Sequence, residues 1–118
     1  MPTSETPHLP AGAVVVVPFP YSDRLAEKRR PAVIVSGGAV AEAGYVWIAM
    51  ITSARNTRIA GDVRIDDTAS AGLGVASVVR PLKLACIEPA RILRRVGTLP
   101  DDTAAQVYAT IRSLVGAA

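Results

Sequence analysis

Apolar positions in this chain gather into short runs, and the period of those runs is that of strands until the last fifteen residues or so. Ala11–Pro18 and Pro31–Ser36 are compact, β-branched and bounded by Pro or Gly, the pattern of buried strands. Gly37-Gly38 and Gly44 bracket a turn region, and Tyr45–Thr52 follows as a longer apolar strand. Asp62–Asp66 alternates strictly, Val63 and Ile65 facing one way and Asp62, Arg64 and Asp66 the other, which predicts a half-buried strand with a solvent face. Thr68–Ala76 is small and Gly-rich and predicts an irregular turn, after which Ser77–Val79 and Leu82–Glu88 read as strands broken at Pro81. Only then does helical spacing appear. Ala104, Val107, Ile111 and Leu114 form one apolar stripe along Thr103–Val115, with Pro100-Asp101-Asp102 supplying a turn and N-cap carboxylates.

Short strands with Gly/Pro turns and one terminal helix predict a mainly β fold with a C-terminal helix, an SH3-like partly closed β-barrel. A parallel α/β sheet is disfavoured because no crossover helices separate the strands. The 118 residues suit one domain, expected over residues 11–118, with residues 1–10 as a frayed, proline-containing tail. Half the chain is apolar, which excludes wholesale disorder. Met1–Pro10 has no apolar signal core, and runs such as Val14–Val17 are too short to cross a bilayer. A soluble cytoplasmic protein without a membrane partner is expected.

Cysteine and histidine usage narrows the chemistry. Cys86 is the sole cysteine and His8 the sole histidine, so a disulfide and a conventional structural zinc site are both excluded and no cofactor is expected. Cys86 reads as a small buried hydrophobe on an alternating strand. His8 lies in the tail as a bystander, and no Ser/His/Asp set can be assembled around it. Asp62, Asp66 and Asp67 cluster in sequence, but their alternation with apolar residues is that of a solvent face and not of a metal site.

Charge points to two loops. The net charge is +3, yet between Arg24 and Arg58 six basic residues, Arg24, Lys28, Arg29, Arg30, Arg55 and Arg58, face only Glu27 and Glu42. Such clustering suits an anionic partner such as nucleic acid, or equally a solvated pair of basic loops. The first loop, Phe19–Arg30, is too short for a crossover helix and longer than a tight hairpin. It ends in Lys28-Arg29-Arg30-Pro31, where the proline holds Arg30 extended at the mouth of a buried strand. A guanidinium so placed can grip a phosphate through paired hydrogen bonds; it can also close the loop over Glu27 or Asp23. The second loop, Ser53–Gly61, begins where Thr52-Ser53 ends a strand. Those hydroxyls can satisfy loose backbone groups or donate to a phosphate. Arg55 and Arg58 lie just beyond, placed to follow a nucleic-acid backbone. Tyr21 is a candidate base-stacking residue, Phe19 a plug for the barrel end, and Trp47 a core or dimer-interface residue. Gly72-Leu73-Gly74 lacks the following Lys-Ser/Thr of a phosphate-cradling loop.

Several of these segments, in this order, resemble the PemK/MazF-like toxins. They are Gly12-Ala13-Val14-Val15-Val16-Val17-Pro18-Phe19-Pro20-Tyr21-Ser22-Asp23, Arg29-Arg30-Pro31-Ala32-Val33-Ile34-Val35, Ile51-Thr52-Ser53, Ser77-Val78-Val79, Ile87, Arg91-Ile92 and Val96-Gly97-Thr98-Leu99. The resemblance spans Gly12 to Val115. It implies an SH3-like barrel of the CcdB type, a homodimer, a cognate antitoxin, and single-stranded RNA held in a groove between subunits. It also implies metal-independent RNA cleavage by attack of a ribose 2′-hydroxyl on the neighbouring phosphate. In that scheme Arg30 matches the catalytic Arg and Thr52 the catalytic Thr. Lys28, Arg29, Ser53, Arg55, Arg58 and Tyr21 would contact substrate, and Glu27 or Asp23 would be the acid or base. The chain departs from the family pattern at Ala13, where an Asp is frequent, at Leu25, where some members are acidic, and at Lys83-Leu84-Ala85, where Gln-x-Arg is common. Two other functions fit the same residues: a non-catalytic toxin of this fold that inhibits a protein target, and a basic RNA- or DNA-binding module.

Overall fold

The computed structural model describes residues 9–18 and 29–116. The expectations for His8, Phe19, Tyr21, Asp23, Glu27 and Lys28 lie outside the described residues. Along the chain run β1 (Ala13–Pro18), β2 (Arg29–Ile34), α1 (Gly38–Glu42), β3 (Val46–Ser53), β4 (Val63–Ile65), α2 (Thr68–Ala71), β5 (Ser77–Ile87), a 3₁₀ turn (Pro89–Arg91), β6 (Arg94–Thr98) and α3 (Asp101–Leu114). The strands form one six-stranded sheet in the order β4-β5-β3-β2-β1-β6. Every neighbouring pair is antiparallel. The sheet curls into a half-barrel beside a C-terminal helix, the fold class the residue pattern predicts.

Burial explains the unbroken apolar runs. Val14, Val33, Ala49, Ile51, Val79 and Leu99 pack on one face under Ala104 and Val107 of α3. Ala13, Val15, Val17, Ala32, Ile34, Val46 and Ile48 form a second cluster, covered in part by Ile87, Ile92 and Leu9. β1 therefore contributes to both clusters, and a strand covered on both faces reads as Val-Val-Val-Val and not as an alternation.

The break expected at Pro81 is a bulge within one long strand. Ala49 lies opposite Leu84 and Met50 opposite Arg80, so Pro81, Leu82 and Lys83 are accommodated between consecutive positions of β3. Proline has no N–H to give the ladder, and an interruption of this kind bends the strand and increases its twist. Thr68–Ala76 holds more order than the expected irregular turn. Asp67 Oδ1 accepts from the Ser70 N–H at 3.0 Å and caps α2, and Gly72, at φ 74°, ends it in the left-handed region. A Cβ on Gly72 would lie 2.1 Å from the Val96 carbonyl oxygen, and one on Gly97 2.4 Å from the Ala71 carbonyl carbon. These two glycines let α2 seat directly on β6.

Four further expectations are corrected. Cys86 is exposed, opposite Trp47 in the β3–β5 ladder. Trp47 is itself 50 % exposed, which removes the core alternative and leaves that of an interface residue. Pro100, not an aspartate, is the N-cap of α3; Asp101 and Asp102 lie inside the first turn, where their charge still favours the helix's positive end. Leu114 is exposed, so the buried stripe stops short of the helix end. Among the described residues no helix is long and apolar enough to cross a membrane.

Candidate functional site

Two strand ends and two loops meet at one rim of the sheet. In β1–β2 the register pairs Val17 with Arg30 and Pro18 with Arg29. In β2–β3 it pairs Ala32 with Met50, and the same register continued toward the strand ends sets Arg30 opposite Thr52 and Arg29 opposite Ser53. Alternation then fixes the faces. Arg30 follows Ala32 and Ile34, and Thr52 follows Ile48 and Met50, so both lie on the face of the second apolar cluster. Arg29 and Ser53 lie on the other face. Pro31, in an extended conformation at the start of β2, holds the two arginines on the ladder.

All four residues border one open recess of about 330 Å³ at the sheet's rim, where both faces end, together with Pro31, Ile51, Asn56, Leu73, Gly74, Val75 and Ser77. Arg30 is half-buried and Arg29 exposed at this rim. Thr52 is 6 % exposed. Leu73-Gly74-Val75 forms the facing wall. The Gly-rich stretch is thus brought to the site as a wall of small and apolar side chains, and it follows a helix instead of leading into one.

The hydroxyls divide their roles. Ser53 Oγ accepts from the Arg55 N–H at 3.1 Å, which is the backbone-satisfying role expected of such a residue. Thr52 Oγ1 instead accepts from the side-chain amide of Asn56 at 2.6 Å. Asn56 escaped the sequence reading because it sits in an aperiodic loop with no motif around it; its four-residue spacing from Thr52 is the only trace.

That loop is pinned at both ends. Near its start the Ala54 N–H donates to the Ala76 carbonyl at 2.9 Å and the Asn56 N–H to the Ser53 carbonyl at 3.1 Å. At its far end Arg80 Nη2 donates to the Thr57 carbonyl at 2.7 Å and holds Asp62 bidentately, Nε to Oδ1 at 3.1 Å and Nη2 to Oδ2 at 3.0 Å. Asp62 also accepts from the Ile59 N–H at 3.1 Å. The expected solvent-facing Asp62 is therefore corrected: its side chain is 1 % exposed against 12 % for Arg80, and β4 begins only at Val63. Burial pushes its carboxyl pKa up. The Arg80 hydrogen bonds, the Ile59 N–H and the charges of Arg80 and Arg58 outweigh that and hold it below the ordinary value. Arg55 and Arg58 are exposed on this braced loop, outside the recess. Among the described residues no group of three or more His, Cys, Asp or Glu side chains is placed to hold a metal ion.

The structure is thus an antiparallel half-barrel with a terminal helix and an arginine- and hydroxyl-bearing rim. Over residues 11–115 the chain matches the PemK-like, MazF-like toxins of type II toxin–antitoxin systems, and it belongs to that family. A MazF crystal structure from Deinococcus radiodurans superposes with a TM-score of 0.71 at 27 % identity, over 92 % of this chain and 96 % of that one. A MazE–MazF structure from the same organism gives 0.67 at 26 % identity, with coverage of 92 % and 96 %. A mycobacterial endoribonuclease in complex with its cognate antitoxin shares the fold at a TM-score of 0.65 and 17 % identity, over 92 % and 98 %. No curated protein matches the chain in sequence.

Proposed function

We propose that this toxin is a metal-independent endoribonuclease that cleaves single-stranded RNA by attack of a ribose 2′-hydroxyl on the adjacent phosphate. The observation that carries the reading is the convergence of Arg29, Arg30, Thr52 and Ser53 from the ends of two adjacent strands on one recess. In the reaction the O2′–P bond forms and the P–O5′ bond breaks, leaving a 2′,3′-cyclic phosphate and a 5′-hydroxyl. The nucleophile belongs to the substrate, so the protein's tasks are orientation and stabilisation of charge on the phosphoryl oxygens. Arg30 supplies a fixed guanidinium and Thr52 a hydroxyl donor. Arg29, Arg55 and Arg58 supply positive charge along the flanking backbone, with Lys28 and Tyr21 from the first loop. Glu27 or Asp23 serves as acid or base.

The reading extends to partners. The MazE–MazF and endoribonuclease–antitoxin relatives support an antitoxin partner, and in this reading it occupies the basic rim and competes with RNA. A second copy covers the exposed Trp47; Trp47→Glu then shifts the sedimentation coefficient toward that of a monomer, and an unchanged value counts against Trp47 at the interface.

Expression in a bacterial host tests the activity. Growth arrest with the natural residues, abolished by Arg30→Ala or Thr52→Ala, is the expected result. Arrest that survives both substitutions contradicts the reading and favours a toxin acting on a protein target.

A further inference from the structure

We propose that Asn56 is a positioning residue that aims the Thr52 hydroxyl proton into the recess. The inference rests on the ribonuclease reading above and adds a residue that neither motif nor charge singles out.

A threonine hydroxyl has one proton to give and two lone pairs to offer. In this protein one lone pair of Thr52 Oγ1 is taken by the Asn56 side-chain amide at 2.6 Å. Among the described residues the group acting on the hydroxyl is a donor, which leaves the hydroxyl proton for another acceptor. Accepting a hydrogen bond also polarises the O–H and strengthens it as a donor. Thr52 is almost wholly buried, and the recess shared by Arg30, Thr52 and Asn56 is the open space beside it. A phosphate oxygen held there by Arg30 would meet the proton.

The loop fixes the backbone that carries Asn56 independently of Thr52. The Asn56 backbone N–H donates to the Ser53 carbonyl, and the Ala54 N–H donates to the Ala76 carbonyl. Arg80 grips both Thr57 and Asp62 beyond it. Little conformational freedom remains to be lost when substrate arrives, which is what a pre-aimed donor requires.

Three variants test this with the full-length protein. Asn56 is exposed, so Asn56→Ala is expected to fold, and thermal unfolding checks that it does. Its cleavage rate is expected to fall roughly tenfold or more, by comparison with the loss of a preorganised donor. The Kd for an oligonucleotide carrying the cut site, with a single 2′-deoxy substitution that blocks reaction, is expected to stay within about twofold of wild type, since no phosphate-binding charge is lost. Asn56→Asp places an acceptor where the donor was; it captures the hydroxyl proton, and its rate is expected below that of Asn56→Ala. In a Thr52→Ala background Asn56→Ala is expected to cost nothing further.

An Asn56→Ala enzyme as fast as wild type, or one that loses binding in step with rate, overturns the inference while leaving the ribonuclease reading in place. Wild-type protein that cuts no RNA brings down both, and it does so before any variant is made. The contact has its own readout in the amide resonances of Asn56, which are expected to shift in Thr52→Val. Resonances that do not move overturn the inference whatever the activity.

Discussion

At the scale of single residues, the account turns on what a guanidinium does when its backbone is fixed. Arg30 stands on a paired strand directly before Pro31, so the backbone that carries its planar fork is fixed beside the recess. Lysine offers a point charge without that fork. Arg30→Lys is therefore expected to keep most of the affinity for RNA and to lose roughly a hundredfold in cleavage rate, measured by single-turnover kinetics beside equilibrium binding. Equal rates for the two proteins would make Arg30 a simple counter-charge. That Arg30 and Thr52 stand at strand ends was legible in the sequence because each opens or closes an apolar run, and strand ends are visible in such a pattern. Asn56 was not, since its importance comes from a loop conformation that no period encodes. Asp62 was misread for a related reason: alternation with Val63 and Ile65 mimics a solvent face, while its partner Arg80 is far off in sequence and invisible to local pattern.

At the scale of elements, the loop after β3 behaves as a bracket closed by the Asp62–Arg80 pair. Removing one member of a buried pair leaves the other desolvated and uncompensated. Arg80→Ala is thus expected to destabilise the fold by about 3 kcal/mol, readable by denaturant unfolding, and to slow cleavage by loosening the loop that carries Asn56, Arg55 and Arg58. The same pair sets a pH dependence. Asp62 has its pKa lowered in the folded state from an ordinary 3.8, so its stabilisation is complete above that value and is lost as pH falls below it, through the lowered folded pKa. Thermal unfolding followed from neutral pH into acid is expected to show a decline that begins near pH 4 and is smaller in Asp62→Asn. Elsewhere the elements were readable in outline, and their junctions were not. Pro81 announces an interruption of β5, but whether it ends a strand or bulges one depends on β3 continuing alongside. Gly72 and Gly97 mark turns in the sequence; that they also bring α2 onto β6 follows only from the packing.

At the scale of the whole molecule, one curled sheet serves two purposes. It buries apolar side chains on both faces, and it brings the ends of β2 and β3 together with the loops after β3 and α2 at a single rim. The mainly β fold was legible because strand period, turn residues and a lone terminal helix all agree. Exposure of Cys86 and Trp47 was not, because an apolar strand position reads alike whether its own chain or another copy covers it. The family carries the toxin assignment, and the rim carries the proposed chemistry. The most direct test of that chemistry is incubation of purified protein with RNA in excess EDTA, with the cleavage products analysed by mass. Fragments ending in a 2′,3′-cyclic phosphate and beginning with a 5′-hydroxyl, absent for Thr52→Ala and Arg30→Ala, are the predicted result. RNA left intact by the unaltered protein, or cleavage that requires added metal, would contradict it.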